Sequence, residues 1–178
     1  MIHLGFRDTD GPHLDSKIVI EDNLKQSHVS YTLFGLPGFM ENIGKEFFPI
    51  KKGCVKGLLR KNIKTAYIAC KDIGAFLAIA FENPNKYINK EMDLIADLVS
   101  GEEFANLLTK IKGYSFKYKS PPKIILRIFA KEFYSMKLFY EKLGTALYVS
   151  ILESIMRECR EIYPDIMTLE KSLSHKLS

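Results

Sequence analysis

The chain reads as an α/β or α+β protein, on three observations. At 178 residues with 47% hydrophobic and 12% aromatic content, it is long enough and apolar enough to close a core. Short β-branched and aromatic runs at residues 29–35 and 65–69 have strand character. Between and after them, apolar residues recur at i, i+3, i+4 and i+7 behind capping residues, which is helix spacing. After Asn42 the strands and helices do not alternate regularly. That favours a lobe of an α/β protein over a complete doubly wound sheet.

Pro12 and Asp15 open a helix running to about residue 26, with Leu14, Ile18 and Leu24 as inward candidates. A buried strand follows at residues 29–35. Pro37-Gly38 then turns the chain, and residues 39–48 make a short helix. The basic, glycine-punctuated stretch to Asn62 reads as loop. A second strand covers residues 65–69, and Asp72 is placed to cap a helix bearing Ile73, Phe76, Leu77 and Ala80. Asn83-Pro84-Asn85 stops that helix, and residues 91–96 form a strand. Ser100 and Glu103 have capping-box spacing ahead of the stripe Phe104, Leu107, Leu108, Ile111, and Gly113 ends the helix. Residues 115–119 are extended and Pro121-Pro122 interrupts. One long aromatic helix then covers residues 124–143, and Gly144 breaks it. Leu147, Ile151, Leu152 and Ile155 continue as another segment, and Thr168 caps the last helix. There is no internal repeat.

Several function classes are disfavoured. No run approaches the roughly 18–20 apolar residues that span a bilayer, and residues 1–8 carry no secretory pattern. No membrane partner is expected. Cys54, Cys70 and Cys159 are odd in number and far apart, which suits neither a disulfide framework nor a zinc site and fits a reducing compartment, cytoplasm or nucleus. The net charge of +5 has a local source: Lys45, Lys51, Lys52, Lys56, Arg60, Lys61 and Lys64 against Glu46 alone. Such a stretch could meet nucleic acid or anionic lipid. No recognition helix, zinc finger or aromatic-interleaved RNA motif accompanies it, so a solvated lysine-rich loop is the expectation and no nucleic-acid partner is assigned.

Six segments, in this order, resemble the NmrA-like family, atypical relatives of the short-chain dehydrogenases. They are His13-Leu14-Asp15-Ser16-Lys17, Leu36-Pro37-Gly38-Phe39-Met40-Glu41-Asn42, Lys71-Asp72-Ile73-Gly74, Asn83-Pro84-Asn85-Lys86-Tyr87, residues 105–110 (ANLLTK) and residues 163–170 (YPDIMTLE). The resemblance implies the C-terminal part of a Rossmann-type NAD(P)-binding fold. Residues 1–43 would be a remnant of the nucleotide-binding core and residues 44–178 a substrate-side or interaction lobe. No G-x-x-G-x-x-G occurs in the chain, so the phosphate-binding N-terminal half, which also selects NAD or NADP, is expected to be missing.

By resemblance, Lys17 is the helix lysine that approaches the nicotinamide ribose. Gly38, Phe39, Met40, Glu41 and Asn42 form the turn that lines the nicotinamide end of NADP(H). An ammonium can donate to both ribose hydroxyls, and a glycine lets the backbone come close. Reducing members of the wider superfamily place a tyrosine four residues before that lysine; His13 stands there instead. No catalytic residue is therefore assigned, and the resemblance implies a sensor or regulator without dehydrogenase turnover. Tyr67-x-x-x-Lys71 repeats the tyrosine–lysine spacing at a strand end, where coincidence explains it. Gly35 departs from the arginine that relatives usually carry. Two alternatives stay open: an atypical NAD(P)H-dependent quinone or carbonyl reductase, and a pure interaction module binding a protein partner through Phe129, Phe133, Tyr134, Phe139 and Tyr140.

Overall fold

The computed structural model describes residues 12–45, 49–51, 53–143 and 146–177. Helix α1 covers Pro12–Gln26 and strand β1 Thr32–Gly35. The strand begins later than its sequence promised because His28 takes a left-handed backbone with φ 58° and turns the chain. The helix expected over residues 39–48 is not found among the described residues 39–45. Gly38–Phe39 is strand β2, Met40–Asn42 is a single 3₁₀ turn, and residues 46–48 lie outside the described residues. Part of the basic stretch forms strands. Ile50–Lys51 (β3) and Cys54–Lys56 (β4) pair antiparallel, reversing at Gly53 with φ 70°, a backbone glycine adopts without strain.

Strand β5 (Lys64–Ile68) leads into α2 (Cys70–Glu82), then α3 (Pro84–Tyr87). Asp72 does not cap α2. The cap position falls on extended Ala69, the helix starts at Cys70, and Asp72 is buried in the first turn. The single strand expected at residues 91–96 is two, β6 (Lys90–Asp93) and β7 (Asp97–Ser100). Between them the buried Leu94, Ile95 and Ala96 step from one sheet to another: the Leu94 N–H donates to the Gly35 carbonyl and the Ala96 N–H to that of Tyr67, both at 2.9 Å.

Helix α4 (Gly101–Lys112) has the expected capping box. The Ser100 hydroxyl accepts from the Glu103 N–H at 3.2 Å, and the Glu103 carboxylate accepts from the Ser100 N–H at 2.7 Å. Gly113 closes it in a left-handed conformation. Strand β8 is Lys117–Lys119. The expected long helix is broken at Ala130, whose φ of −153° and ψ of 67° separate α5 (Lys123–Phe129) from α6 (Lys131–Leu143). Helices α7 (Ala146–Ile162) and α8 (Leu169–Leu177) complete the chain, and the Thr168 hydroxyl accepts from the Lys171 N–H as the sequence indicated.

Among the described residues the strands form three small sheets: β1 parallel to β6; β2 parallel to β5 with β7 antiparallel on its far side; and β4 flanked by β3 antiparallel and β8 parallel. One core joins them through Met40, Ile43, Ile68, Phe76, Leu108 and Leu169. Two carboxylates dock α8. Asp72 accepts from the Met167 N–H at 2.8 Å and Asp97 from the Leu169 N–H at 2.9 Å. Leu169 and Leu173 are thereby held in the core.

Candidate cofactor site

Strands β2 and β5 run the same way, with Gly38 opposite Tyr67 and Phe39 opposite Ile68. Each therefore delivers its next residues to the same edge: β2 into the 3₁₀ turn, β5 into the start of α2. Carboxyl ends of parallel strands are where open α/β folds bind ligands. A cleft of about 380 Å³ lies at this edge, walled by Met40 and Glu41 of the turn, Ala69 and Lys71 around the start of α2, and His175 and Lys176 of α8.

Glu41 is anchored rather than reactive. Its carboxylate accepts from the Cys70 N–H at 2.9 Å. Partial burial pushes its pKa up, but the Cys70 N–H, the Cys70 thiol and the Lys176 charge outweigh this and hold it below the usual carboxylate value. The same contact, after burial, pushes the Cys70 thiol up, so no thiolate is favoured there. The Lys176 ammonium closes the arrangement by donating to the backbone carbonyls of Glu41 and Ile43.

The structure brings Met40 and Glu41 into the cleft, Met40 fully buried. Phe39 is half-buried at the end of β2; Gly38 before it and Asn42 at the end of the turn are exposed. Lys17 is exposed on α1, and among the described residues no hydrogen bond or ion pair joins it to the turn. Lys71, His175 and Lys176 were not anticipated, since nothing local in the sequence pairs residue 41 with residue 176.

Tyr67 is core. It is buried on β5, and desolvation, with the neighbouring Tyr118, drives its phenol far above the ordinary value, while Lys71 sits on the following helix. Their spacing is thus not a catalytic pair. Among the described residues no cluster of His, Cys, Asp and Glu could hold a metal ion.

Of the six residues expected to meet a dinucleotide, Met40 and Glu41 line the cleft. A Cβ built on Gly38 would stand 3.5 Å from the Ala66 carbonyl oxygen and the Tyr67 ring, ordinary contact. The fold itself therefore leaves room for a side chain there. A pyrophosphate needs a glycine-rich turn at a helix N-terminus, and the sequence contains no such motif.

Parallel strands opening on such a cleft make this an α/β protein whose fold is of the Rossmann type. The chain belongs to the NmrA-like family, whose model matches residues 4–173. It is 25% identical over 126 residues to the photosystem II assembly factor Ycf39 of Trieres chinensis, an alignment spanning 68% of this chain and 39% of that protein. Among solved structures it resembles NmrA, a negative transcriptional regulator, in complex with NAD. That match has a TM-score of 0.66 at 14% identity and covers 89% of this chain and 56% of the other. An NADPH-dependent quinone oxidoreductase from Escherichia coli has a TM-score of 0.69 at 20% identity, with 96% and 64% covered. The chain thus spans about two fifths of the matched assembly factor and under two thirds of these two structures. At such identities the structural likeness shows the fold alone.

Proposed function

We propose that this chain is the nicotinamide-side portion of an NAD(P)(H)-responsive regulatory protein that binds cofactor without turning it over. Lys17 would donate to the nicotinamide ribose, and Gly38, Phe39, Met40, Glu41 and Asn42 would line the nicotinamide end. A bound nicotinamide cofactor would supply a redox-dependent shape and charge, and a protein partner would read it.

The observation carrying this reading is how the groups at the cleft are occupied. Glu41 is tied to Cys70, Lys176 to carbonyls, and the nearest phenol on β5 is sealed in the core. Carbonyl reduction needs a positioned proton donor near neutrality; none of these three groups serves, and His175 and Lys71, which also line the cleft, are the groups a turnover assay has to test. Cytoplasm and nucleus remain the proposed compartments; among the described residues no helix is long and apolar enough to cross a membrane.

Calorimetry tests it. The 178-residue chain alone should bind NADPH more weakly than about micromolar, roughly −8 kcal/mol, and fusion to the glycine-rich half of a family member should restore binding. Lys17→Ala in the fusion should weaken it. Tight binding by the chain alone, or indifference to Lys17→Ala, would contradict these assignments.

A further inference from the structure

We propose that the basic face of the β3–β4–β8 sheet, together with the exposed apolar residues of α5, which follows β8 in the chain, docks this chain onto an anionic lipid bilayer. The strand register makes the face. Cys54 pairs with Lys117, Val55 with Tyr118 and Lys56 with Lys119, while Lys51 stands opposite Cys54. Side chains alternate across a sheet, so Lys51, Lys56, Lys117 and Lys119 share one side with Cys54, and all four lysines are exposed. The other side is pinned inward. Val55 is fully buried, and the Tyr118 side chain lies so close to Gly57 and Gly101 that a Cβ on either would stand within 2.6 Å of its hydroxyl or its ring.

Two features of this face resist an explanation by stability. Lys56 lies directly across from Lys119, a like-charge pair that destabilises a sheet. Among the described residues no carboxylate pairs with any of the four. After Pro121-Pro122 the chain enters α5, where Ile124, Ile125, Ile128 and Phe129 are exposed by 58%, 48%, 61% and 82% and only Leu126 turns inward. Spacings of four put Ile124 beside Ile128 and Ile125 beside Phe129. From residue 117 to residue 131 there are five cations and no acid.

Exposed branched aliphatics beside unpaired lysines match a lipid surface, where acyl chains take the apolar residues and anionic headgroups the ammonium groups. They match nucleic acid poorly. Stacking platforms need aromatic faces, and α5 presents Phe129 alone. The expectation of no membrane partner rested on the absence of a spanning segment, which surface docking does not need. The lysine-rich stretch read as a solvated loop is, in part, this sheet.

Sedimentation of the 178-residue chain with vesicles of phosphatidylcholine, with or without phosphatidylserine, tests the proposal. Binding should require phosphatidylserine and weaken with salt. The triple variants Lys56→Gln/Lys117→Gln/Lys119→Gln and Ile124→Ser/Ile128→Ser/Phe129→Ser should each lower it on the order of tenfold or more, with circular dichroism unchanged. All six residues are exposed, so both variants should fold. No binding to phosphatidylserine vesicles, equal binding to neutral ones, or indifference to either variant in its folded form would overturn it. So would lysine-dependent binding to single-stranded RNA without any to vesicles.

Discussion

Asp72 carries a wholly buried carboxylate whose Oδ2 holds the Met167 N–H while Oδ1 has no hydrogen-bond partner among the described residues. Burial raises its pKa, more than the Met167 N–H and Lys71 lower it, and Glu41 adds to the rise. A folded-state value above the unfolded one means that the ionised form opposes folding at neutral pH, and that this penalty fades as pH falls through the raised value. Asp72→Asn keeps an acceptor for Met167 and removes the charge. Asp72→Ala orphans the N–H and should cost about 2 kcal/mol in urea denaturation, with Asp72→Asn clearly milder. Equal losses would show that the hydrogen bond to Met167 contributes nothing. The sequence marked Asp72 as important but gave the wrong reason. An acid ahead of an apolar stripe reads as a cap, whereas its role depends on residue 167, far along the chain.

At the scale of elements, local chemistry was legible and long-range pairing was not. The α4 capping box is written in Ser100 and Glu103, three residues apart, and Ser100→Ala should lower stability by about 1 kcal/mol, read as a fall in Tm. The β3–β4 hairpin was hidden because its stabilising neighbour, β8, lies some sixty residues on. The break at Ala130 was hidden because alanine favours helix. What holds α6 in place was also invisible to periodicity. Lys137 is buried, donating to the carbonyls of Leu58 at 2.7 Å and Pro121 at 3.1 Å, with Glu141 at 3.6 Å. Glu141 in turn meets Arg60 and Lys123, each at 3.2 Å. Burial pushes the Glu141 carboxyl up, but Lys123, the Arg60 N–H and the Lys137 and Arg60 charges win and hold it below its usual value. Its stabilisation is thus present above the unfolded pKa and lost as pH falls through the lower folded one. Between about pH 5 and about pH 3 the wild type should lose more stability than Glu141→Gln. Near neutrality Glu141→Gln should cost about 3 kcal/mol, because three cations lose their counter-charge, and Glu141→Leu combined with Lys137→Met should recover part of it. A pH-independent difference between wild type and Glu141→Gln would contradict this account.

Across the whole molecule, the order of motifs from residue 13 to residue 170 carried the family, and the α/β class followed from strand and helix spacings. The three separate sheets did not, because they arise where residues 94–96 cross over and where β4 finds β8. The cofactor role of the turn is the proposal made above, and Met40 and Glu41 line the cleft. Its far wall comes from α8, which no local pattern ties to residue 41. The cofactor reading is tested most directly at Gly38, where the fold leaves ordinary room for a Cβ. The most direct test is NADPH titration into the chain fused to a family phosphate-binding half, comparing Gly38 with Gly38→Val. The account predicts similar melting temperatures and a loss of affinity of on the order of tenfold, about 1.4 kcal/mol, with no cofactor oxidation over aldehydes, ketones or quinones by either protein. Unchanged affinity in the folded Gly38→Val variant, or sustained turnover, would contradict it.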